Sequence, residues 1–488
     1  MKFGDYPKIP SLGDVAGFRA HCAAAGLALP VEDRVESGAA SPLSAPLTVD
    51  GLTVGNRFAI NPMEGWDGGT DGRPSPNTIR RWERFGRSGA KLVWGGEAVA
   101  VRPDGRANPN QLMLTADTHG AIAALRERLV AAHREAFGDD DGLVVGLQLT
   151  HSGRFCKPQS HRAFVPMVAY RHPILDRRYH VTSDAAVMDD DAIARLVEDF
   201  VAAGRRAQQA GYDFVDVKHC HGYLAHELLS AVDRPGRYGG SLENRTRFLR
   251  EVVEGLRAEA PGLAIGVRLS AVDMVPFRPD PALSKPGALG PGIPEETGGD
   301  YPYAFGADRR DPTRIDLTEP LALLELFRRL GVRLVNVTAG SPYYTPHLIR
   351  PASYPPSDGY APPEDPLAGV LRHLDVTRAL KQAFPDLCFT GSGYTYLQEF
   401  LPHVAQAAIR DGWTDLVGIG RMVLSYPELP ADVLAGRPFQ KKKLCRTFSD
   451  CTTAPRNGIV SGCYPLDPHY KGSPEFRQLA AVKKPAKA

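Results

Sequence analysis

The chain reads Asp216-Val217-Lys218-His219-Cys220-His221-Gly222-Tyr223-Leu224 at the end of an apolar run that begins at Phe214. A long helical pattern follows, so this stretch marks the end of a buried strand. In an α/β barrel, side chains at strand ends point into the mouth shared by the βα loops. Imidazoles can donate hydrogen bonds to an anionic oxygen, and a phenol can deliver a proton. The stretch therefore predicts a chemically active mouth of a (β/α)8 TIM barrel.

Short apolar runs alternate with helical patterns along most of the chain, as repeated βα units require. We predict eight barrel strands: Arg57–Asn61, Leu92–Trp94, Leu143–Leu149, Phe214–Val217, Ala264–Leu269, Leu334–Val337, Leu387–Thr390 and Leu416–Ile419. Helices between them are predicted from apolar stripes. The clearest stripes are Phe248, Leu249, Val252, Val253 and Leu256, and, after an acidic cap, Ile193, Leu196, Val197 and Phe200.

The length of 488 residues exceeds the roughly 250 of a bare barrel, so additions are expected. We assign residues 1–45 to an N-terminal extension with a short helix near Val15–Ala25, and residues 46–435 to the barrel. Residues 275–316, rich in Pro and Gly, form an insertion after strand five that we interpret as a substrate lid or, alternatively, as a surface loop without a role. Residues 436–488 form a C-terminal segment with cysteines and a basic tail at 483–487.

Composition narrows the class of protein. A net charge of +2 gives no basic field for nucleic acid or anionic membrane. No secretory signal or membrane-length apolar run is visible, and seven cysteines, an odd number, argue against a disulfide framework. We expect a cytoplasmic homo-oligomer that acts on a small molecule.

The Lys218–Tyr223 block resembles the fourth-strand segment of the Old Yellow Enzyme family of FMN oxidoreductases. The stretch Gln148-Leu149-Thr150-His151-Ser152-Gly153-Arg154 is similar to its third-strand segment. The resemblance implies that Lys218 and His221 bind the acceptor oxygen of the substrate and that Tyr223 donates a proton. Lys218 departs from the family histidine, since a lysine supplies a point charge. His219 can be interpreted equally well as a packing residue or as a ligand-binding residue. We interpret His151 and Arg154 as structural residues that hold the loop together.

The resemblance also implies a non-covalent FMN site. Pro62 and Met63 would lie along the flavin, and Glu64 takes the place of a family Thr or Cys near its redox edge. Glu64 could pair with Lys218 there; the alternative is an exposed residue of a turn. The resemblance implies further flavin contacts at Ala98, Gln148 and Arg268. It implies that the flavin phosphate is held by Gly391, Ser392, Gly393, Gly420 and Arg421.

The C-terminal pattern Cys445-x2-Phe448-x2-Cys451-x11-Cys463 is similar to the [4Fe-4S] motif of the trimethylamine dehydrogenase and 2,4-dienoyl-CoA reductase branch. Phenylalanine cannot ligate iron, and four thiolates are the usual requirement. We predict that the cluster is lost; the alternative is a cluster held by Cys445, Cys451, Cys463 and an outside ligand. The branch's FAD/NAD domain has no counterpart after Cys463, so we expect electrons from NAD(P)H or from a separate donor protein.

Three functions are compatible with these residues. The favoured one is an ene-reductase that transfers hydride from reduced FMN to the activated C=C bond of an unsaturated carbonyl or thioester. The second is a flavin dehydrogenase acting oxidatively on an amine or a saturated ring. The third is a flavin-binding partner subunit without catalysis.

Overall fold

Eight parallel strands close into a barrel in the computed structural model, which describes residues 6–285 and 288–483. Each strand pairs with the next, and the eighth pairs with the first. The strands are β1 (Phe58–Ile60), β2 (Leu92–Val93), β3 (Val144–Thr150), β4 (Phe214–Val217), β5 (Ala264–Val272), β6 (Leu334–Ala339), β7 (Cys388–Gly391) and β8 (Leu416–Ile419). The predicted TIM barrel is confirmed.

All eight predicted strands are present, and β4 and β8 have the predicted bounds. Strand β2 is short because Gly95 and Gly96 turn the chain aside before it returns as a strand at Ala98–Ala100, which also pairs with β3. Gly96 has a φ of +57°, and a Cβ there would lie 2.4 Å from the ring of Trp82. Only glycine fits this close approach.

The helices have the bounds α1 (Val15–Ala24), α2 (Pro76–Gly86), α3 (His119–Phe137), α4 (Leu175–Arg178), α5 (Asp190–Gln209), α6 (Leu224–Leu228), α7 (Leu242–Arg245), α8 (Arg247–Glu259), α9 (Thr318–Arg329), α10 (Pro346–Ile349), α11 (Pro366–Ala383), α12 (Leu401–Arg410), α13 (Met422–Ser425), α14 (Leu429–Leu434), α15 (Asp450–Arg456) and α16 (Pro474–Val482). The stripe from Phe248 to Leu256 is buried on α8, as predicted. On α5, the Asp189 side chain caps the helix by accepting from the Ala192 N–H at 2.7 Å.

The N-terminal end of the barrel is closed. A buried cluster contains residues from the beginnings of the strands, such as Leu92, Phe214 and Leu416, with Trp94 among them. An antiparallel hairpin, Leu47–Val49 with Leu52–Val54, packs against this cluster. The open end is therefore the C-terminal one, where the strand-end side chains lie.

The insertion after β5 packs on the loop that follows β3. It contains an antiparallel pair, Phe277–Pro279 with Gly292–Pro294. Arg178 of α4 lies 2.7 Å from Glu295, and the Tyr301 hydroxyl lies 2.8 Å from His172 Nε2. These contacts position the insertion beside the barrel mouth, and its role as a lid stays a prediction.

The C-terminal segment also packs on the mouth. The Ser449 hydroxyl donates to the Tyr354 carbonyl at 2.6 Å, and Ser461 Oγ accepts from the Trp66 N–H at 3.1 Å. Of the basic tail, 484–488 lie outside the described residues, as do 1–5, where the absence of a signal was predicted. Within the described ranges, no helix has both the length and the apolar character to cross a bilayer.

Candidate active site

One cavity at the C-terminal end of the barrel, called here the inner cavity, brings together most of the predicted site residues. Its walls include Pro62, Met63, Glu64, Gln148, Lys218, His221, Tyr223, Arg268, Ser392, Gly393, Gly420 and Arg421. Ala98 and Gly391 are buried in their strands but do not line it. The sequence therefore predicted the wall of one continuous site from segments far apart in the chain.

Tyr223 lies at the centre of a short hydrogen-bonded chain. Its hydroxyl donates to Glu64 Oε2 at 2.6 Å and lies 3.1 Å from the Tyr343 hydroxyl. Burial and the neighbouring Glu64 raise the pKa of Tyr223 well above its usual value, so the phenol is neutral at pH 7. Tyr343, in the loop after β6, was missed by the sequence analysis.

Glu64 is not an exposed turn residue, because its carboxylate is held on several sides. Trp66 Nε1 donates to Oε1 at 3.1 Å, and Asn108 Nδ2 lies at 3.5 Å from the same oxygen. Lys218 Nζ lies 3.8 Å from Oε2. The expected pairing of Glu64 with Lys218 is thus present, and the two departures from the family pattern are spatial neighbours.

Lys218 is almost fully enclosed, with 3% of its side chain exposed. Its ammonium lies 3.7 Å from the centroid of the Tyr223 ring, a cation–π contact. Burial lowers the pKa of Lys218, and Glu64 opposes that shift. The chain therefore holds a cation beside the proton-bearing phenol, with a carboxylate to balance it.

His221 is neutral and tightly positioned. Its backbone has a φ of +68°, and its N–H donates to Ser270 Oγ at 3.0 Å. Burial, then Arg268 and Lys218, holds the pKa of His221 well below its usual range. His219 Nδ1 lies 2.8 Å from the Val217 carbonyl, and its ring lies 6.2 Å from that of Phe248. We interpret His219 as a packing residue.

Asp216 lies behind the cavity wall and holds two of its residues, Gln148 and Arg268, although the sequence assigned it no role. Its carboxylate accepts from Gln148 Nε2 at 2.6 Å, from Trp94 Nε1 at 2.8 Å and from the Arg268 backbone N–H at 2.6 Å. Burial raises the pKa of Asp216 to about 6. The signal was available, since residues two apart on a strand share a face and Lys218 faces the mouth.

Arg268 presents a cation to the cavity. Its Nη1 donates to the Pro62 carbonyl at 2.9 Å, while its buried Nε has no hydrogen-bond partner in the described part of the chain. Burial lowers the pKa of the guanidinium, yet arginine stays charged in proteins. A buried donor without a partner fits an acceptor on a bound ring system, as does the amide of Gln148.

At the far end of the same cavity lies a second cationic group. Arg421 donates through Nη2 to the Pro351 carbonyl at 2.9 Å, and Arg350 donates to the Thr452 hydroxyl. Arg421 Nη1 and Arg350 Nη2 are buried and find no acceptor within the described ranges. Burial and the nearby Arg421 lower the pKa of Arg350 to about 9. Arg350 was not predicted, and no local motif marks it.

These features fit a phosphorylated flavin mononucleotide. Two guanidiniums that line the same cavity and repel each other, with Ser392 and the glycines at 393 and 420 in the same wall, suit a phosphate dianion. Gln148 and Arg268 offer donors for the polar edge of an isoalloxazine at the barrel centre. The orphaned donors at both ends of the cavity are the observation that supports this fit.

The cysteine segment borders the same cavity without forming a recognisable metal site. Cys451 and Cys463 line it, and Cys445 is buried beside Met422. Phe448, at the sequence position of the missing ligand, makes an apolar contact instead, since its ring packs against Tyr354 with the centroids 5.5 Å apart. Residues 6–285 and 288–483 include no group of three or more His, Cys, Asp or Glu side chains arranged to hold a metal. These residues do not fit a four-thiolate cluster, and its loss stays a prediction.

Comparison with known proteins agrees with this geometry. Residues 42–280 match the NADH:flavin oxidoreductase / NADH oxidase family. Over this segment, just under half of its length, the chain is similar to this family of oxidoreductases. It is 28% identical over 336 residues to an NADPH dehydrogenase of Halalkalibacterium halodurans, covering 68% of this chain and 80% of that one. An NADPH dehydrogenase of Bacillus subtilis is 30% identical over 240 residues, 48% of this chain and 65% of its own length. Members of the family use a flavin, and NADPH is named in both relatives.

Solved structures share the fold. An Old Yellow Enzyme homologue from Zymomonas mobilis superposes with a TM-score of 0.54 at 21% identity, covering 82% of this chain and 94% of that one. 2-Naphthoyl-CoA reductase superposes with a TM-score of 0.63 at 18% identity over 88% of this chain. The chain spans 57% of the length of that reductase. At these identities the likeness concerns the barrel alone.

Proposed function

We propose that the protein is an FMN-dependent NAD(P)H oxidoreductase of the ene-reductase type, which reduces the activated C=C bond of an unsaturated carbonyl or thioester. The observation that carries the proposal is the neutral phenol of Tyr223, buried in the same cavity as Lys218 and His221 and as the residues that fit FMN. This reaction needs a proton donor, groups that bind an oxyanion, and a bound flavin. The cavity offers residues suited to each of these tasks.

The residues divide the work by their chemistry. Bound FMN supplies hydride transfer to the β-carbon of the alkene. Lys218 and His221 bind the carbonyl oxygen, where negative charge develops and where preorganised donors stabilise the transition state most. Tyr223 delivers its proton to the α-carbon, and the Tyr343 hydroxyl, 3.1 Å away, is placed to return one. FMN is proposed to be non-covalent, because Glu64 stands where the trimethylamine dehydrogenase branch carries its cysteine.

A second function is favoured by one contact. The hydrogen bond from Tyr223 to Glu64 is short, at 2.6 Å, and directs the phenol proton toward a carboxylate. In a dehydrogenase acting on an amine or a saturated ring, Glu64 would serve as the base that takes this proton. Histamine dehydrogenase from Rhizobium sp. 4-9 shares the fold at 19% identity and a TM-score of 0.59.

An anaerobic experiment separates the two functions. The purified flavin-loaded protein is titrated with NADPH and with NADH, and the loss of flavin absorbance is recorded. The reduced protein is then mixed with 2-cyclohexenone, and the product is identified by mass spectrometry. We expect reduction by one of the nucleotides followed by formation of cyclohexanone. Flavin that is bleached by histamine but by neither nucleotide would reject the reductase and support the dehydrogenase.

A further inference from the structure

A second cavity lies outside the inner cavity and is called here the outer chamber. Its walls include Trp66, Lys157, Phe164, Tyr179, Tyr343 and Arg456. It shares Pro342 with the inner cavity, and Tyr343 and Trp66 at the boundary reach inward to Tyr223 and Glu64. A substrate whose reacting bond lies beside Tyr223 can therefore extend between these side chains into the outer chamber.

Lys157 is the unusual residue of this chamber. It is 6% exposed, and no carboxylate lies within ion-pair distance of it among the described residues. Its ammonium lies 4.5 Å from the centroid of Trp66 and 5.1 Å from that of Phe164. Within the described ranges, the one hydrogen bond of this ammonium is to the His161 carbonyl, at 3.3 Å. Buried charges in proteins are normally paired, but the described residues place no counter-ion in direct contact with this ammonium.

The surroundings of Lys157 are cationic as well. Arg456 faces the same space, but its charge is balanced by the ion pair with Asp358. Arg178 is balanced by Glu295 at 2.7 Å. His161 adds a buried Nδ1 without a hydrogen-bond partner in the described chain, and its ring stacks on Trp66 at 6.0 Å. After these pairings, Lys157 and His161 remain as buried polar groups without a compensating partner among the described residues, while the exposed Arg162 is open to solvent.

We propose that the outer chamber binds an anionic oxygen group, a carboxylate or a phosphate, with Lys157 as its counter-ion and Trp66 and Phe164 as apolar walls beside it. The inference rests on the proposed function and deepens it, because it assigns an acidic group to the molecules that the site accepts. Two sources carry such a group: the acid substituent of an unsaturated substrate, and the 2′-phosphate that distinguishes NADPH from NADH.

The test measures binding by isothermal titration calorimetry on the flavin-loaded protein. The flavin is kept oxidised, and the probes are matched pairs that cannot reduce it: trans-cinnamate against trans-cinnamamide, and NADP⁺ against NAD⁺, which differ by the same 2′-phosphate. For at least one pair, we expect tighter binding of the more anionic member. Lys157→Met should weaken binding of that member by roughly 10- to 100-fold, the range expected for a lost hydrogen bond to a charged group, and leave its neutral or less charged counterpart unchanged.

Two further variants keep the test specific. Lys157→Arg retains the charge and should preserve the preference. Arg162→Gln removes an exposed cation of the same chamber and should change affinity by less than about twofold, because exposed charges are screened. A preference within the cinnamate pair identifies the source as a substrate acid, and one within the nucleotide pair identifies it as the 2′-phosphate.

The proposal is overturned if wild-type protein shows no preference in either pair, including the case in which neither anion binds. It is also overturned if Lys157→Met keeps the preference of the wild type. Because binding is measured without turnover, anion binding that depends on Lys157 in a protein that reduces no alkene would reject the proposed reaction and leave this site standing.

Discussion

The Tyr223 hydroxyl donates a hydrogen bond to the Glu64 carboxylate at 2.6 Å. Lys218 contacts both residues: its Nζ lies 3.8 Å from the same carboxylate oxygen and 3.7 Å from the Tyr223 ring centroid. Glu64 and Lys218, the two residues predicted to depart from the Old Yellow Enzyme pattern, therefore lie together beside Tyr223. Each charge offsets the burial cost of the other, which gives a physical reason for finding both departures in one chain.

Glu64→Gln separates the two candidate reactions. In the reductive direction Glu64 is a hydrogen-bond partner of Tyr223, so we expect turnover of 2-cyclohexenone to change by less than about tenfold. A lost general base lowers rates by roughly 10²- to 10⁴-fold, which is the effect expected for oxidation of an amine. Steady-state assays in both directions make the measurement, with circular dichroism as the control for folding. If Glu64→Gln lowers enone turnover by more than 10²-fold, Glu64 does more in the reductive reaction than accept a hydrogen bond from Tyr223.

The pH dependence should report Lys218. Burial lowers the pKa of this lysine below its usual value, and only the protonated form stabilises the developing oxyanion. Activity should therefore be full below this lowered pKa and decline as pH rises through it, before an ordinary lysine would titrate. Lys218→Met should remove the alkaline decline and lower kcat/KM by roughly 10- to 100-fold. If the Lys218→Met variant shows the same alkaline decline in activity as wild type, the decline is caused by a group other than Lys218.

Arg350 should be part of the flavin phosphate site. The mutual repulsion of Arg350 and Arg421 in a buried setting is relieved by a dianion, so Arg350→Met should raise the FMN Kd by roughly 10- to 100-fold. The same change should raise the Tm of the apoprotein, because an unpaired buried charge is removed. Fluorescence titration of apoprotein with FMN and thermal melts test both effects, with the exposed Arg329→Gln of α9 as control. An unchanged FMN Kd would place the phosphate elsewhere.

Anion binding in the outer chamber should weaken in mild alkali. Burial and the nearby Arg456 lower the pKa of Lys157 to about 8, against the opposing charges of Glu64 and Asp358. His161 is also held below its usual pKa by burial and by Lys157, so it is neutral in this range. Affinity for the preferred anionic probe should therefore fall as pH rises through 8 in wild type but not in Lys157→Arg. Equal pH dependence in both proteins would contradict the assignment.

The barrel was predictable because each strand is a short apolar run between helical stripes, and β4 and β8 keep their predicted bounds. The inner cavity was predictable as far as its residues lie near the carboxyl end of a strand or directly after it, as Gln148 in β3 and Lys218 after β4 do. Asp216 carried a readable signal in the alternation of its strand, but it was not used.

Other residues carried no local signal. Tyr343 and Arg350 lie in the long loop after β6, and Lys157 lies in the loop after β3. Their positions depend on contacts with distant segments, such as those of Arg350 with Thr452 and of Tyr343 with Tyr223. Loops of this length have no periodicity from which a side-chain direction can be read, so only the folded structure places them at the site.

The proposed reaction depends on Tyr223 as the proton donor of an alkene reduction. The most direct test follows the two half-reactions of wild type and Tyr223→Phe by anaerobic stopped-flow spectroscopy, with NADPH or NADH as donor and 2-cyclohexenone as acceptor. We expect that Tyr223→Phe leaves flavin reduction by the nucleotide unchanged. Reoxidation by the enone should be slower by roughly 10²- to 10⁴-fold, the contribution of a general acid. Reoxidation of the Tyr223→Phe protein at the wild-type rate would contradict this role of Tyr223.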